Sequence, residues 1–213
     1  MSHTLSYKYA RKFISRRIQT YMKDVRICLT RNADGTHAYM PSLIASVSML
    51  ELLSGLYSGR LRGIGLKGIL GYADKFMDST AYSEDRIAVL YELFRHKIAH
   101  LGHPYAVFDS HSVNNNHVLH NYKRRWITWQ INASDFKPSI DIRQQSGTLR
   151  EDPPWPVHFT HKCYISLRRL SIDIRASAYG NSGYLAYLKT SKNAINQFTK
   201  CMHKFYDTSG PEP

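Results

Sequence analysis

The fold is decided by one stretch of sequence, residues 83–100, which reads SEDRIAVLYELFRHKIAH. Its apolar side chains recur every three or four positions, which is the spacing of one face of an α-helix: Ile87, Leu90, Tyr91, Phe94 and Ile98. Ser83 can cap this helix, and the two acidic residues that follow it suit the positive end of the helix dipole. Because Gly102 and Pro104 come soon afterwards, the pattern predicts a buried helix that ends near His100.

Helical spacing also predicts elements on both sides of this stretch, over about residues 5–29, 41–57, 69–77, 163–178 and 188–205. The run from Gly63 to Gly68 has the spacing of a dinucleotide-binding loop. That motif requires a preceding strand, and here a helix precedes it, so we expect a joint between two helices. Residues 38–57 are apolar enough for a membrane span, but Pro41 and four serines favour a buried core helix and no membrane association.

The pattern changes between about residues 101 and 156. Residues 101–121 are rich in His and Asn and lack periodicity, which indicates a loop. Arg125 to Ile131 alternates as a strand does, and Ile140 to Ile142 is the expected partner in a hairpin. A polar, Pro-rich crossing follows over residues 143–156. The sequence therefore predicts a mainly α single domain over 1–213, a bundle of about six helices with a small β-hairpin insertion at about 101–156.

The charge balance favours polyanionic partners. The 29 Lys and Arg residues against 16 Asp and Glu give a formal net charge of +13. Such an excess attracts RNA, DNA or an anionic surface and does not separate them. Three scattered cysteines and an N-terminal stretch without the apolar core of a secretory signal predict a reducing, cytoplasmic environment.

The end of the helix predicted over residues 83–100 carries a candidate catalytic motif. Arg95, the polar His96, and His100 after four intervening residues resemble the signature of the HEPN superfamily. The resemblance covers roughly residues 40–104 and implies a helical bundle that dimerises with the two motifs facing across a cleft. It further implies a metal-independent, cofactor-free endoribonuclease, in many members a toxin or defence effector with a cognate antitoxin protein. Arg95, His96 and His100 are the catalytic residues that it implies here.

These residue types suit RNA cleavage. An imidazole titrates near neutral pH and can take a proton from a ribose 2′-hydroxyl, while an arginine can hold negative charge on phosphate oxygens. On an ideal helix Arg95 and His100 would be about 140° apart. They can share a site only if the helix relaxes near Ala99 or if two protomers contribute.

Other readings of the same residues stay open. Cations are favoured at any helix C-terminus, so Arg95 and the histidines can be structural. A HEPN fold can also bind nucleic acid or protein without cutting, in which case the expected nucleic-acid contacts are Lys97, His103, Lys123, Arg124 and Arg125. Six of the 11 histidines lie within His96–His120, which allows a metal-dependent hydrolase as a third class.

Overall fold

A computed structural model describes residues 3–33, 35–96, 106–111, 117–150 and 155–206. The protein is mainly α-helical, as the sequence predicts. Its helices are α1 (His3–Cys28), α2 (Tyr39–Ser58), α3 (Gly65–Phe76), α4 (Glu84–Leu90), a π-helix (Tyr91–His96), α5 (His117–His120), α6 (Leu167–Tyr179), α7 (Tyr184–Thr190) and α8 (Lys192–Tyr206). Its strands are β1 (Phe108–Asp109), β2 (Trp126–Asn132), β3 (Ile140–Leu149) and β4 (Val157–Ser166).

The apolar helix α2 lies at the centre of the bundle and packs against α1, α3, α6 and α8. Two of its buried serines have hydrogen-bond partners: Ser46 donates to the Ser42 carbonyl and accepts from the Tyr21 hydroxyl at 3.0 Å, and Ser54 donates to the Leu50 carbonyl. The buried Ser42 hydroxyl has no partner among the described residues. Among the described helices, α2 is the one whose length and composition would allow a membrane span, and 56% of that window is buried inside the protein. The predicted core helix is therefore confirmed.

The glycine-rich run is a joint between helices, as predicted. Helix α2 ends at Gly59, whose positive φ of 70° places it in the left-handed region that glycine adopts without strain. Helix α3 then begins at Gly65, with no strand before it. The dinucleotide-like spacing thus belongs to a joint between two helices.

The predicted hairpin is wrong. The strand order is β1-β2-β4-β3, so β4 lies between the two strands that were expected to pair. Strand β2 pairs with β4 in parallel, and β3 pairs with β4 in antiparallel register, with Ile140 opposite Ile165 and Ile142 opposite Cys163. Most of β3 falls in the stretch that was expected to be a crossing, the end of β4 falls in the expected helix, and residues 157–162 of β4 were assigned to no element. The spacing of Cys163, Leu167 and Leu170 resembles one helix, but α6 begins only at Leu167.

The two faces of the sheet differ in chemistry. The inner face is apolar and joins the core, with Ile127, Ile131, Ile140, Cys163 and Ile165 buried. The outer face carries polar, cationic and aromatic side chains. This division places a charged surface on one side of the sheet and the helical bundle on the other.

Candidate catalytic and nucleic-acid site

The backbone at the predicted catalytic motif is π-helical. Helix α4 runs directly into the π-helix Tyr91–His96, which contains the backbone of Arg95 and His96. The side chains of these two residues, and all of Lys97, His100 and His103, lie outside the described residues. Two of the three predicted catalytic positions are thus located on the backbone, and the assignment of all three stays a prediction.

A π-helix changes which residues lie above one another. Its hydrogen bonds join residues five apart, so such residues come close to the same face, whereas an ideal α-helix separates them by about 140°. Arg95 and His100 are five positions apart. Single π-helical turns inside α-helices also concentrate at functional sites. The π-helix ends at His96, one residue after Arg95, and the winding from there to His100 lies outside the described residues.

Ion pairs and burial hold α4 against the rest of the protein. Asp85 in its first turn accepts from Arg125 Nη1 at 3.2 Å, and Arg86 approaches Asp141 at 3.4 Å. The apolar face beyond them is fully buried: Ile87, Ala88, Val89, Leu90 and Leu93. Ser83 precedes the helix as predicted, but it does not cap a backbone N–H, because its hydroxyl donates to Asp85 at 2.6 Å. The helix that leads to the motif is therefore fixed at its start.

The electrostatics of Asp85 reflect this anchoring. Burial acts to raise the pKa of its carboxyl, but the hydrogen bonds from Ser83 and Arg125, and the charge of Arg125, together lower it. The carboxylate therefore stays ionised at neutral pH and keeps its pair with Arg125.

The basic run at residues 123–125 divides into two roles. The Arg125 side chain is only 12% exposed, pairs with Asp85, and lies over the Tyr122 ring at 5.2 Å. Its guanidinium thus joins α4 to the sheet. Lys123 and Arg124 are exposed on the surface. Of the three predicted nucleic-acid contacts in this run, two lie open to solvent and the third points inward.

Arg124 is an exposed cation held over an exposed aromatic ring. Its guanidinium lies 4.8 Å from the centre of the Trp126 ring, and its Nε donates to Asp109 at 3.1 and 3.2 Å. The hydrogen bonds from Arg124, helped by one from the His111 backbone, lower the pKa of Asp109. Asp109 therefore remains charged and orients the guanidinium against the indole.

A second aromatic residue with cations lies on the same side of the sheet. Tyr164 of β4 is flanked by Lys162 Nζ at 5.2 Å and by the Arg143 guanidinium at 5.0 Å from its ring centre. Its hydroxyl donates to Gln145 at 2.7 Å. We name this surface the outer sheet face, formed by Arg124, Trp126, Gln130, Arg143, Lys162 and Tyr164.

Sequence reasoning missed half of the outer sheet face. Arg143 was assigned to a crossing, Lys162 to no element, and Tyr164 fell at the start of an expected helix. The signal that would have found them is the alternation in β4, where Lys162 and Tyr164 interleave with the buried Cys163 and Ile165. Trp126 and Trp129, by contrast, divide between the two faces as strand geometry requires, with Trp126 40% exposed and Trp129 packed against the core.

Strand β4 also carries two reactive residue types, Cys163 and His161. Burial raises the pKa of the Cys163 thiol to about 12, so the nucleophilic thiolate is scarce at neutral pH. Burial and the charge of Arg125 lower the pKa of His161.

The histidine cluster is described only in part. The His111 and His120 rings stack at 5.0 Å, and His111 Nε2 lies 2.8 Å from the Tyr122 carbonyl oxygen. The side chains of His96, His100, His103 and His117 lie outside the described residues. Within the described part of the chain, no group of three or more His, Cys, Asp or Glu side chains could hold a metal ion.

The described residues thus define a mainly α-helical protein that carries a mixed four-stranded sheet with one cationic, aromatic face. Comparison of the chain with protein-family models, with curated proteins and with solved structures gave no match. The resemblance to HEPN proteins therefore rests on the sequence motif.

Proposed function

We propose that the protein is a HEPN-type endoribonuclease that cuts RNA without a metal ion or cofactor. The observation that carries the proposal is the π-helix at Tyr91–His96, which contains the backbone of Arg95 and His96, because π-helical turns concentrate at functional sites. The anchored start of α4 and the net charge of +13 support it, since a catalytic site needs a fixed frame and RNA is a polyanion.

The chemistry assigned to the motif balances without any other reactant. His100 takes the proton of a ribose 2′-hydroxyl, and the 2′-oxygen attacks the adjacent phosphorus. Arg95 stabilises the added negative charge on the phosphate oxygens, and His96 orients the group by a hydrogen bond. The bond from phosphorus to the 5′-oxygen breaks, and a protonated imidazole returns a proton to that oxygen. The products are a 2′,3′-cyclic phosphate and a 5′-hydroxyl.

The proposal extends to the assembly. In a homodimer with two motifs facing across one cleft, one histidine would act as the base and its counterpart as the acid. The class of protein further suggests a toxin or defence effector in the cytoplasm, held inactive by a cognate antitoxin protein. These partners follow from the resemblance.

The experiment is an RNA cleavage assay with matched variants. Arg95→Ala and His100→Ala should each abolish cleavage while circular dichroism and the thermal midpoint stay close to those of the unchanged protein. Arg62→Ala, which removes an exposed arginine in the glycine-rich joint, should cut RNA as the unchanged protein does. Cleavage that survives both motif variants would remove Arg95 and His100 from the mechanism.

A second candidate function is nucleic-acid binding without cleavage. The outer sheet face favours it, because exposed aromatic rings beside cations can hold a strand by themselves. Binding in the absence of any RNA cleavage by the unchanged protein would select this candidate.

A further inference from the structure

We infer that the outer sheet face is a binding site for single-stranded RNA, whose bases stack on Trp126 and Tyr164. The inference rests on the proposed function in one respect: the strand held there would be the strand that the Arg95 motif cuts. Binding itself depends only on the described residues of the sheet.

The two aromatic rings are placed on one face by the register of the strands. Trp126 lies one position before Ile127, which is opposite His161, and its backbone N–H donates to the Thr160 hydroxyl at 3.0 Å. Trp126 is therefore opposite Thr160 of β4. Tyr164 lies four positions after Thr160 on that strand, so the Trp126 and Tyr164 side chains project to the same side of the sheet. Strand geometry separates their positions by about 14 Å. Two rings at this spacing can engage two bases of one extended strand.

Both rings are open to a ligand. Trp126 is 40% exposed, which is unusual for so large an apolar side chain and leaves much of the indole in water. Tyr164 is partly exposed, with its hydroxyl bonded to Gln145. The Trp126 ring is held by Arg124, and the Tyr164 ring by Arg143 and Lys162, which lie over these rings. A ring that is already held in place loses little conformational entropy when a base stacks on it.

Cations lie where the phosphates of a stacked strand would run. Arg143 is 61% exposed and Arg124 is 55% exposed, and Lys162 lies between them on the central strand. Two carboxylates face the same surface, and each is already paired: Asp109 with Arg124, and Asp141 with both Arg86 and Arg143. The outer sheet face therefore carries more positive than negative charge, in agreement with the +13 charge of the chain.

The chemistry favours unpaired bases over a duplex. In a duplex the base faces are occupied by neighbouring bases, so they cannot stack on protein rings, whereas single strands expose them. Stacking tolerates any base, because every base has a π-face. Gln130 adds an exposed polar group on β2 opposite Tyr164, within reach of a base edge.

The test is fluorescence anisotropy with labelled oligonucleotides of about 12 nucleotides, a length in the range that small stacking surfaces cover. Three probes share one sequence: single-stranded RNA, single-stranded DNA and duplex DNA. DNA lacks the 2′-hydroxyl that the proposed chemistry attacks, so it reports binding without cleavage. We expect the single strands to bind more tightly than the duplex.

The variants have closely matched controls elsewhere in the chain. Trp126→Ala and Tyr164→Ala should each weaken single-strand binding by about 5- to 100-fold. Tyr179→Ala is the control, because Tyr179 on α6 is also exposed and also lies beneath an arginine, Arg175, at 5.8 Å. Arg143→Ala and its control Arg175→Ala each remove one arginine that lies over a tyrosine ring, the former on the outer sheet face and the latter on α6. Only Arg143→Ala should weaken binding strongly.

Each outcome decides the inference separately from the proposed function. If Trp126→Ala and Tyr164→Ala bind single strands as the unchanged protein does, or if the duplex binds as tightly, the inference is overturned. An acidic peptide that competes for the same face more strongly than the oligonucleotides would also overturn it. If binding requires both rings but no RNA is ever cut, the inference stands and the nuclease proposal fails.

Discussion

Asp85 and Arg125 join the helix that leads to the predicted catalytic motif to the sheet that carries the exposed aromatic rings. Their ion pair, at 3.2 Å, is largely buried, with side-chain exposures of 18% and 12%. The Arg125 Nε and Nη2 atoms are buried and have no other hydrogen-bond partner among the described residues. The pair therefore carries more weight than a surface ion pair, because its loss would leave a guanidinium in the interior without a counterion.

Replacing Asp85 should therefore destabilise the fold. We expect Asp85→Ala to lower the free energy of unfolding by about 1–3 kcal/mol, less than for a fully buried pair because some solvent reaches both groups. Urea denaturation at pH 7 measures it. Asp24→Ala on the exposed side of α1 is the matched control and should stay within about 0.5 kcal/mol of the unchanged protein. A loss at Asp85 no larger than the control would show that the pair does not anchor α4.

His161 should make stability depend on pH. Its pKa is lowered in the folded protein by burial and by the charge of Arg125, so the unfolded chain takes up the proton at a higher pH. Above the unfolded pKa of about 6.5, His161 is neutral in both the folded and the unfolded protein and the full free energy of unfolding is retained. As the pH falls from there through the folded pKa, the unfolded chain binds the proton more readily, so the free energy of unfolding decreases. The unchanged protein should consequently lose stability between pH 8 and pH 5 at this site.

The test compares the urea midpoint of unfolding at pH 8 and at pH 5 for His161→Gln and for the unchanged protein. This variant cannot take up the proton, so its midpoint should fall less on acidification than that of the unchanged protein. His203→Gln, at an exposed histidine of α8, should fall as the unchanged protein does. Equal falls for His161→Gln and the unchanged protein would contradict the orientation of His161 towards Arg125.

The joint after α2 should be sensitive to a single methyl group. Gly59 has φ of +70°, and a Cβ there would meet the Gln197 side chain of α8 and its carbonyl oxygen at 3.3 Å. Gly59→Ala should cost about 1–2 kcal/mol of stability from the left-handed backbone, and more if Gln197 cannot move. Gly71→Ala, where nothing lies within 4 Å, should instead stabilise α3 by about 0.5–1 kcal/mol. Thermal melting compares the two variants. A Gly59→Ala variant as stable as the unchanged protein would contradict the left-handed backbone at Gly59.

The helices could be predicted from the sequence because the buried positions of a helix recur at a short, regular spacing along the chain. The apolar positions of α1, α2 and α8 repeat every three or four residues, and the glycine-rich joint has a local signature as well. The sheet could not be predicted in the same way. Which strand lies beside β2 is decided by contacts between distant residues, and the register of β4 against both neighbours is not visible in either segment alone.

The candidate site shows the same division. The motif around Arg95 is local, and its place at the end of a buried helix follows from spacing. The inward orientation of Arg125 depends on Asp85, 40 positions earlier, and the pairing of Arg143 with Tyr164 depends on strand neighbours. The switch from α- to π-helix at Tyr91 was likewise not predicted from the sequence.

Attack by the ribose 2′-hydroxyl without a metal ion can be recognised from the chemistry of the cut ends. The purified protein is incubated with an RNA oligonucleotide of about 12 nucleotides, with its all-2′-O-methyl form and with the same sequence as DNA, each with and without EDTA. Mass spectrometry should show that only the unmodified RNA is cut, with or without EDTA, into 2′,3′-cyclic phosphate and 5′-hydroxyl ends. Cleavage of the 2′-O-methyl strand or of DNA, or cleavage that stops in EDTA, would contradict the account.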